Sequence, residues 1–468
     1  MATASLPVPL LRARRERVAA AVGAPILLVG PRNRARNLPM NALPFRQDSS
    51  LWYLSGYAGP DAALLLHDGR AILYAPLPDA EDALWHGPSA DADAIAEACG
   101  VDEVRPFDLE ALHRLAPLRP ATIASPDAAV NALLASITGQ SLRYGVDHGD
   151  DALVEALIAA RRTKDAWEIA QMRRAAEVSA EAHRWTMALT KPGRTEAALA
   201  AAFTAYLEAR ALTPGYGVIL TQRGEILHCH DHSGRLTDGA LLLLDGGGEL
   251  RSSGYGADIT RTWPVNGRFS DQQRAAYEAV LEAQRASLAL CRPGVPYRDV
   301  HDASCRVLAT FLVDEGLLRG SVDEVLERHA HALFFPHGVG HHLGLDVHDL
   351  ENFGDRPSYP ANQRRPEPFG TRNLRLDLPL EAGWVVTIEP GFYVVPAILQ
   401  DAVLRERFAD LLNPAVLERW SGFGGIRIED DVHVTTAGPD VLSAGVPTDV
   451  DAIEACVGVG ATIEDWLG

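Results

Sequence analysis

The chain has 468 residues, roughly three times the length of a typical single domain, so two domains are expected. It carries 43 lysines and arginines against 62 aspartates and glutamates, a net charge of −19, which argues against binding of nucleic acid or anionic membranes by electrostatics. Hydrophobic residues make up 47% and charged residues 22% of the chain, which is typical of globular proteins with a large core.

The cysteines and the N-terminal segment bear on the compartment. Five scattered cysteines without a CxxC pair favour a reducing environment. The first residues lack the charged and then apolar pattern of a signal peptide, and no run reaches the roughly 18 apolar residues of a membrane span. We therefore expect a cytoplasmic protein.

The first third of the chain is predicted to be an α/β domain, because short apolar strands alternate with helical stretches. The predicted helices cover residues 11–21, 91–99 and 127–137, and the predicted strands cover 26–29, 51–54 and 62–66. From residue 150 the sequence becomes rich in alanine, arginine and glutamate, which predicts one or two helices over 150–189 and another over 195–211. The change places a domain boundary near residue 160 and predicts domains 1–160 and 161–468.

The remainder is predicted to be an α+β domain in which helices flank a mainly antiparallel sheet. Its predicted strands cover 241–244, 259–265, 384–388 and 426–434, and its predicted helices cover 270–290 and 299–315. The proline-rich segment 352–379 is predicted to be a long surface loop, and loops of that length tend to be functional.

Four carboxylates interrupt or end apolar runs in this second domain: Asp245, Asp258, Glu389 and Glu429. The glycine-rich connection after Asp245 predicts a hairpin that brings Asp245 and Asp258 face to face. Clustered carboxylates raise one another's pKa and cannot all stay ionised unless cations neutralise them. The pattern therefore predicts a metal site, and oxygen donors with imidazole would suit Mn(II), or Zn(II), Co(II) or Fe(II).

Candidate imidazole donors lie in the glycine-rich segment 334–349, which contains His337, His341 and His348. Gly338 and Gly340 argue against the helical zinc site that the spacing of the first two histidines would otherwise suggest, and the glutamate of an HExxH motif is missing. Further upstream, His228 follows an apolar pair and is expected to point inward, whereas His230 and His232 are expected to lie in a loop.

These motifs, in this order, resemble the pita-bread metallopeptidases, which include methionine aminopeptidase, aminopeptidase P and prolidase. The segment Leu43-Pro-Phe-Arg-Gln-Asp-Ser-Ser-Leu-Trp-Tyr-Leu-Ser-Gly56 resembles the creatinase-type N-terminal domain of aminopeptidase P and prolidase, which methionine aminopeptidase lacks. The resemblance implies an α/β creatinase-like domain followed by an α+β pita-bread domain, and a peptidase that cleaves the bond before proline.

Carried over residue by residue, the resemblance implies two divalent metal ions, with Asp245 on one, His341 and Glu389 on the other, and Asp258 and Glu429 bridging them. A hydroxide between the metals would attack the peptide carbonyl, with Glu389 as the proton shuttle. The remaining implied roles are substrate binding and oxyanion stabilisation by His228 and His348, and orientation of ligands or substrate by His337, Arg427, Tyr393 and Thr260.

The resemblance leaves two branches open. Arg375 stands where prolidases carry the arginine that binds the substrate's free carboxylate, which favours an Xaa-Pro dipeptidase. The step of 17 residues from His228 to Asp245 favours aminopeptidase P acting on longer peptides. An inactive pita-bread binding protein is the alternative from another class, and the presence of all five metal ligands speaks against it. Trp85 falls where relatives place a residue that reaches a neighbouring subunit, which implies a homodimer.

Overall fold

The computed structural model describes residues 6–38, 40–78 and 82–460, which form two compact units. Within these residues, the first unit runs to Arg162 and includes the short segments 251–254 and 350–357. The second unit begins at Thr163 and contains the rest. None of the described helices combines the length and the apolar character needed to cross a bilayer.

The first unit is built on a four-stranded sheet in the order β1-β2-β3-β4, in which only β3 and β4 are parallel. The strands are β1 (Ile26–Val29), β2 (Ala63–His67), β3 (Arg70–Ala75) and β4 (Glu103–Pro106). The helices are α1 (Val8–Val22), α2 (Ser49–Ser55), α3 (Asp82–His86), α4 (Ala92–Cys99), α5 (Leu109–His113), α6 (Ala128–Thr138) and α7 (Asp151–Arg162). Apolar residues of β1–β3 pack with those of α5 and α6 to form one core.

The prediction of a strand at residues 51–54 is wrong, because these residues lie in helix α2. The Asp48 side chain accepts a hydrogen bond from the Leu51 amide at 2.9 Å and so caps the helix, and Gly56 ends it in the left-handed conformation. All seven residues of α2 are buried. A short run of apolar residues that is buried on every side has no periodicity that separates helix from strand, so the pattern was misleading.

The second unit combines long helices with short antiparallel strands. Its helices are α8 (Ala166–Leu189), α9 (Glu196–Glu208), α10 (Asp271–Leu290), α11 (Tyr297–Asp314), α12 (Val322–Glu327), α13 (Pro396–Leu399), α14 (Ala402–Arg407), α15 (Pro414–Arg419) and α16 (Val450–Cys456). Its strands are β5 (Leu212–Pro214), β6 (Ile219–Thr221), β7 (Leu241–Asp245), β8 (Gly248–Leu250), β9 (Thr260–Pro264), β10 (Val385–Ile388), β11 (Gly391–Tyr393), β12 (Gly425–Arg427), β13 (Asp430–Thr435) and β14 (Gly438–Val441).

The predicted helical region 150–189 is two helices, α7 and α8. The chain leaves the helical conformation after α7, and Asp165 starts α8 with a capping box in which its side chain accepts from the Glu168 amide while the Glu168 carboxylate accepts from the Asp165 amide. A second capping box, between Ser270 and Gln273, starts α10.

Two three-stranded antiparallel sheets carry the residues of interest, in the orders β6-β7-β9 and β10-β13-β14. Strands β7 and β9 pair antiparallel, as the predicted hairpin requires, but the register places Thr260 and not Asp258 opposite Asp245. The connection between the two strands also contains β8, which was not predicted. The single strand predicted over 426–434 is instead two strands, β12 and β13. At the break between them the Glu429 amide donates to the Thr260 carbonyl at 3.0 Å, which brings Glu429 to the end of β7.

The proline-rich segment 352–379 contains no strand and only the end of one short 3₁₀ helix, in agreement with the predicted loop. It is not simply a surface segment, however, since Tyr359, Leu374 and Leu376 are buried. The Tyr359 hydroxyl donates to the Leu374 carbonyl at 2.5 Å and ties the ends of the 359–374 stretch together.

Candidate metal centre

Five potential metal ligands converge at the ends of the strands of the second unit. Asp245 is the last residue of β7, Asp258 precedes β9, Glu429 precedes β13 and Glu389 follows β10, while His341 lies in the loop that pairs with β10. Their side chains are withdrawn from solvent: Asp245 is 8% exposed, Asp258 5%, and Glu429 and His341 2% each.

The five residues fall into interlocking groups whose ligand atoms lie within 4.8 Å of one another. One group is Asp245, Asp258 and Glu429, and another is His341, Glu389 and Glu429. The His341 Nε2 atom is 3.5 Å from an Asp258 oxygen and 3.7 Å from a Glu389 oxygen. Carboxylate oxygens with one imidazole form a donor set that fits hard or borderline divalent cations.

The electrostatics of the cluster indicate the same kind of ligand. Burial raises the pKa of Asp245 and of Asp258, raises that of Glu389 to about 8, and raises that of Glu429 well above its usual value. Without cations Glu389 therefore holds a proton near neutral pH, and the other three carboxylates bind protons more readily than exposed carboxylates do. Divalent cations reverse this effect because they favour the ionised form of each ligand.

Arg427 organises the side of the cluster that holds Asp245. Its guanidinium donates to an Asp245 oxygen at 2.5 Å, to the Thr260 hydroxyl at 3.1 Å and to the Tyr393 hydroxyl at 3.1 Å. The Thr260 hydroxyl in turn donates to Glu429 at 2.6 Å. Burial alone would lower the pKa of Arg427, but Tyr393, Asp245 and Glu429 raise it well above its usual value. The residue is thus a permanent cation that orients two of the carboxylates.

His337 extends this network on the Glu389 side. One ring nitrogen lies 2.8 Å from the Tyr393 hydroxyl, and the other lies 2.8 Å from the Gly338 carbonyl and 3.6 Å from Glu389. Burial, assisted by the charge of Arg427, lowers the pKa of His337 to about 3, so the ring is neutral at neutral pH.

Tyr216 contacts the carboxylate cluster and was missed by the sequence interpretation. Its hydroxyl lies 2.6 Å from Asp245 Oδ1 and also contacts Asp258 Oδ1. A phenol has a single proton to donate, so both contacts can be hydrogen bonds only when one carboxyl group is protonated. The available signal was an aromatic residue between Gly215 and Gly217 shortly before the apolar strands, and this pattern has no specific meaning on its own.

Backbone packing explains the glycines beside the cluster. A Cβ atom on Gly247 would lie 1.8 Å from the Ala257 carbonyl oxygen, so only glycine allows the two arms of the connection from Asp245 to Asp258 to approach this closely. Asp431, which the sequence interpretation also missed, accepts from the Asp258 amide at 3.1 Å and fixes that residue from behind.

The predicted substrate residues also lie at this centre. His348 is exposed, its ring centroid lies 4.5 Å from that of His341, and its ligand atom lies within 4.8 Å of those of His341 and Asp258. His228 was expected to point inward, but the residue is exposed overall. Partial burial, followed by the charge of Arg427, still lowers the pKa of its ring. Arg375 is close enough that its charge contributes to lowering the pKa values of His228 and His337, after the larger effects of burial and Arg427.

Another group of possible ligands, His301, Asp302 and Cys305, lies on helix α11. The Cys305 sulfur is 3.3 Å from the His301 Nε2 atom. Burial raises the pKa of the Cys305 thiol well above its usual value, so the sulfur is held in its protonated form, which is a poor metal ligand. Among the described residues, the carboxylate cluster is therefore the better candidate for a metal centre.

Comparison with known proteins agrees with this geometry. Residues 170–436 match the model of metallopeptidase family M24, and residues 11–117 match that of the aminopeptidase P N-terminal domain. The chain is 32% identical to the human Xaa-Pro dipeptidase over 97% of its own length and 94% of the relative's. It is 34% identical to a Talaromyces marneffei protein named "Probable Xaa-Pro aminopeptidase", over 88% of each chain.

Solved structures give the same result. The proline aminopeptidase P II of Yersinia pestis superposes with a TM-score of 0.78 at 31% identity, over 96% of this chain and 99% of that one. An Escherichia coli aminopeptidase P superposes with the same TM-score at 30% identity, over 97% of this chain and 98% of that one. These matches confirm the predicted pita-bread fold, the creatinase-type N-terminal domain and the peptidase class. The chain therefore belongs to metallopeptidase family M24.

Proposed function

We propose that the protein is an Xaa-Pro dipeptidase, which hydrolyses the bond before the proline of a dipeptide at a centre of two divalent cations. The observation that carries the proposal is the convergence of Asp245, Asp258, His341, Glu389 and Glu429 into interlocking groups. Asp258, His341 and Glu429 each belong to two groups. Of these three, only the two carboxylates have two oxygens to offer, so they are the residues that could each serve two cations. The donor set suits Mn(II), with Zn(II), Co(II) or Fe(II) as alternatives.

Cations held by these five residues would supply Lewis-acid polarisation of the scissile carbonyl and activation of water. Glu389 is suited to move a proton at its carboxylate, because its side chain keeps 14% of its surface exposed, more than those of Asp245 at 11% and Asp258 at 7%. A carboxylate that belongs to the cluster and still meets solvent can take up a proton at one oxygen and release it again.

His228 and His348 are suited to bind substrate, since both are exposed beside the buried cluster. Burial lowers the pKa of His228, so at neutral pH its ring is uncharged and can donate one hydrogen bond to a substrate carbonyl oxygen. Arg427 and Tyr393 act from behind the ligands, where they hold Asp245 and His337 in place.

Arg375 supports the dipeptidase branch. Its guanidinium acts electrostatically on His228, His337 and Glu389, which places a half-buried positive charge beside the centre. A dipeptide carries a free carboxylate on the proline that follows the scissile bond, whereas a longer peptide carries a neutral amide there, so a cation at this centre favours the dipeptide. The second candidate, an Xaa-Pro aminopeptidase, is favoured by the superposition with aminopeptidases P of Yersinia pestis and Escherichia coli.

The branch is tested by turnover of Ala-Pro against Ala-Pro-Ala with the purified, Mn(II)-loaded protein. We expect preference for the dipeptide, and Arg375→Ala should raise its KM by about 10- to 100-fold through loss of a charge-assisted hydrogen bond. The exposed Arg372, three residues earlier, provides the matched control, since Arg372→Ala should leave KM unchanged. Preference for the tripeptide would contradict the dipeptidase proposal and indicate an Xaa-Pro aminopeptidase. Turnover of neither substrate would favour an inactive binding protein.

We further propose a cytoplasmic homodimer. All five cysteines are unpaired, as in a reducing compartment. Leu84 and Trp85 in α3 expose 76% and 60% of their surfaces, and adjacent large apolar side chains left in solvent are typical of contact surfaces. Light scattering of the wild type and of Trp85→Ala tests this part, since the variant should lose dimer.

A further inference from the structure

A buried ion pair lies beside the loop that follows His341 and carries His348. The Lys164 ammonium is 3.0 Å from an Asp349 carboxylate oxygen, and each side chain is only 1% exposed. Burying two charges costs desolvation that their attraction barely offsets, so such pairs add little net stability compared with apolar side chains of similar size. A role in fixing geometry is the better explanation for keeping charges here.

The pair closes the loop of residues 342–349. The Asp349 amide donates to the His342 carbonyl at 3.0 Å, and the Leu343 amide donates to the Val385 carbonyl of β10 at 3.0 Å. The loop also leaves room for the pair: a Cβ atom on Gly344 would lie 2.3 Å from an Asp349 oxygen and 2.9 Å from the Lys164 Cε atom. A side chain at position 344 would therefore collide with both members of the pair.

The two ends of this loop lie at the centre described above. His341 precedes the loop and is a candidate ligand, and His348 is its penultimate residue, with the two ring centroids 4.5 Å apart. His348 is exposed, whereas its neighbours Val347 and Asp349 are buried. The Asp349 carboxylate is held in the interior by Lys164, so the residue that follows His348 is anchored by the pair.

We propose that Lys164 and Asp349 form a positioning pair that fixes His348 for substrate binding. The inference rests on the proposed function, because it assigns the pair an effect through a substrate-binding histidine. His341 is held separately, since its amide donates to the Thr387 hydroxyl at 3.1 Å and its ring nitrogen contacts the His342 carbonyl at 2.9 Å. Loss of the pair should therefore impair turnover while the cations are retained.

The test is a double-mutant cycle between the pair and His348, measured as kcat/KM for Ala-Pro with the Mn(II)-loaded protein. Lys164→Met should lower kcat/KM at least about 10-fold in the wild-type background but less than about 3-fold in His348→Ala, because residues that act through one another are not additive. Bound Mn(II) should be unchanged. Equal factors in both backgrounds, no effect of Lys164→Met, or loss of bound Mn(II) would each overturn the inference.

Two further variants keep the test decisive. Lys164→Met/Asp349→Asn removes both charges at nearly constant volume, so it leaves no lone buried carboxylate. If Lys164→Met alone does not fold, this double variant takes its place in the cycle and should show the same non-additivity with His348→Ala. Leu308, which is buried in α11, provides the control for general destabilisation. Leu308→Ala should change kcat/KM by the same factor in the wild type and in His348→Ala. If the wild type hydrolyses Ala-Pro-Ala but not Ala-Pro, the proposed dipeptidase function fails and the same cycle is measured with the tripeptide. A fully active His348→Ala would overturn the inference, because His348 would then have no role for the pair to support.

Discussion

Glu389 should make the stability of the cation-free protein fall as the pH rises. Its ordinary pKa is 4.5, and burial raises it to about 8 in the folded protein. Between these values the folded state holds a proton that the unfolded state has released, so the contribution is fully present below pH 4.5 and is lost as the pH rises towards 8. The shift corresponds to roughly 5 kcal/mol at about 1.4 kcal/mol per pKa unit.

The remaining exposure of the Glu389 side chain, 14%, reduces the expected loss to roughly 3–5 kcal/mol. Glu389→Gln mimics the protonated form at every pH, so this variant should lack that part of the pH dependence. The exposed Glu418 in α15 provides the matched control, and Glu418→Gln should behave like the wild type.

The assay is urea denaturation of the chelator-treated protein from pH 4.5 to 8, followed by the fluorescence of Trp263 and Trp384, which are both buried in the second unit. With excess Mn(II), the unfolding free energy of the wild type should instead rise with pH. Cations and protons compete for the same carboxylates, so cation binding strengthens as the pH rises. An identical fall of the unfolding free energy in the wild type and in Glu389→Gln would show that Glu389 does not cause the pH dependence.

Two further predictions concern single hydrogen bonds. Tyr216→Phe removes the hydroxyl that contacts Asp245 and Asp258. Because loss of a group that orients metal ligands weakens metal binding, the affinity for Mn(II) should fall about 10-fold in a chelator competition. Unchanged affinity would show that the hydroxyl does not orient the ligands. Asp48→Ala removes the cap of α2 and should destabilise the first unit by about 1 kcal/mol without changing kcat; differential scanning calorimetry together with turnover checks this, and a loss of kcat would contradict it.

The metal cluster was accessible from the sequence because each of its carboxylates interrupts or ends an apolar strand. A buried strand tolerates an acidic residue such as Asp245 or Glu429 only if something compensates its charge, so the break in the pattern marks the site. The antiparallel pairing of β7 and β9 followed from the glycines of their connection, and among Gly246, Gly247 and Gly248 it is Gly247 whose added Cβ would meet backbone atoms most closely.

Other features have no local signature. Tyr216 reaches two carboxylates 29 and 42 residues away, and the Lys164–Asp349 pair joins residues 185 positions apart. Such contacts depend on the folded arrangement of strands and loops and not on spacing along the chain. The strand prediction at residues 51–54 failed for a different reason. These residues of helix α2 are buried on all sides, so they have no polar face that would reveal the helical period.

We propose that Asp258 and Glu429 hold two cations between them in an active peptidase. Bound Mn(II) per chain is counted by elemental analysis after dialysis and metal readdition, together with Ala-Pro turnover, in the wild type, Asp258→Ala and Glu429→Ala. We expect about two ions and full turnover in the wild type, and at most one ion and no turnover in either variant. Two retained ions with wild-type turnover in either variant would contradict it.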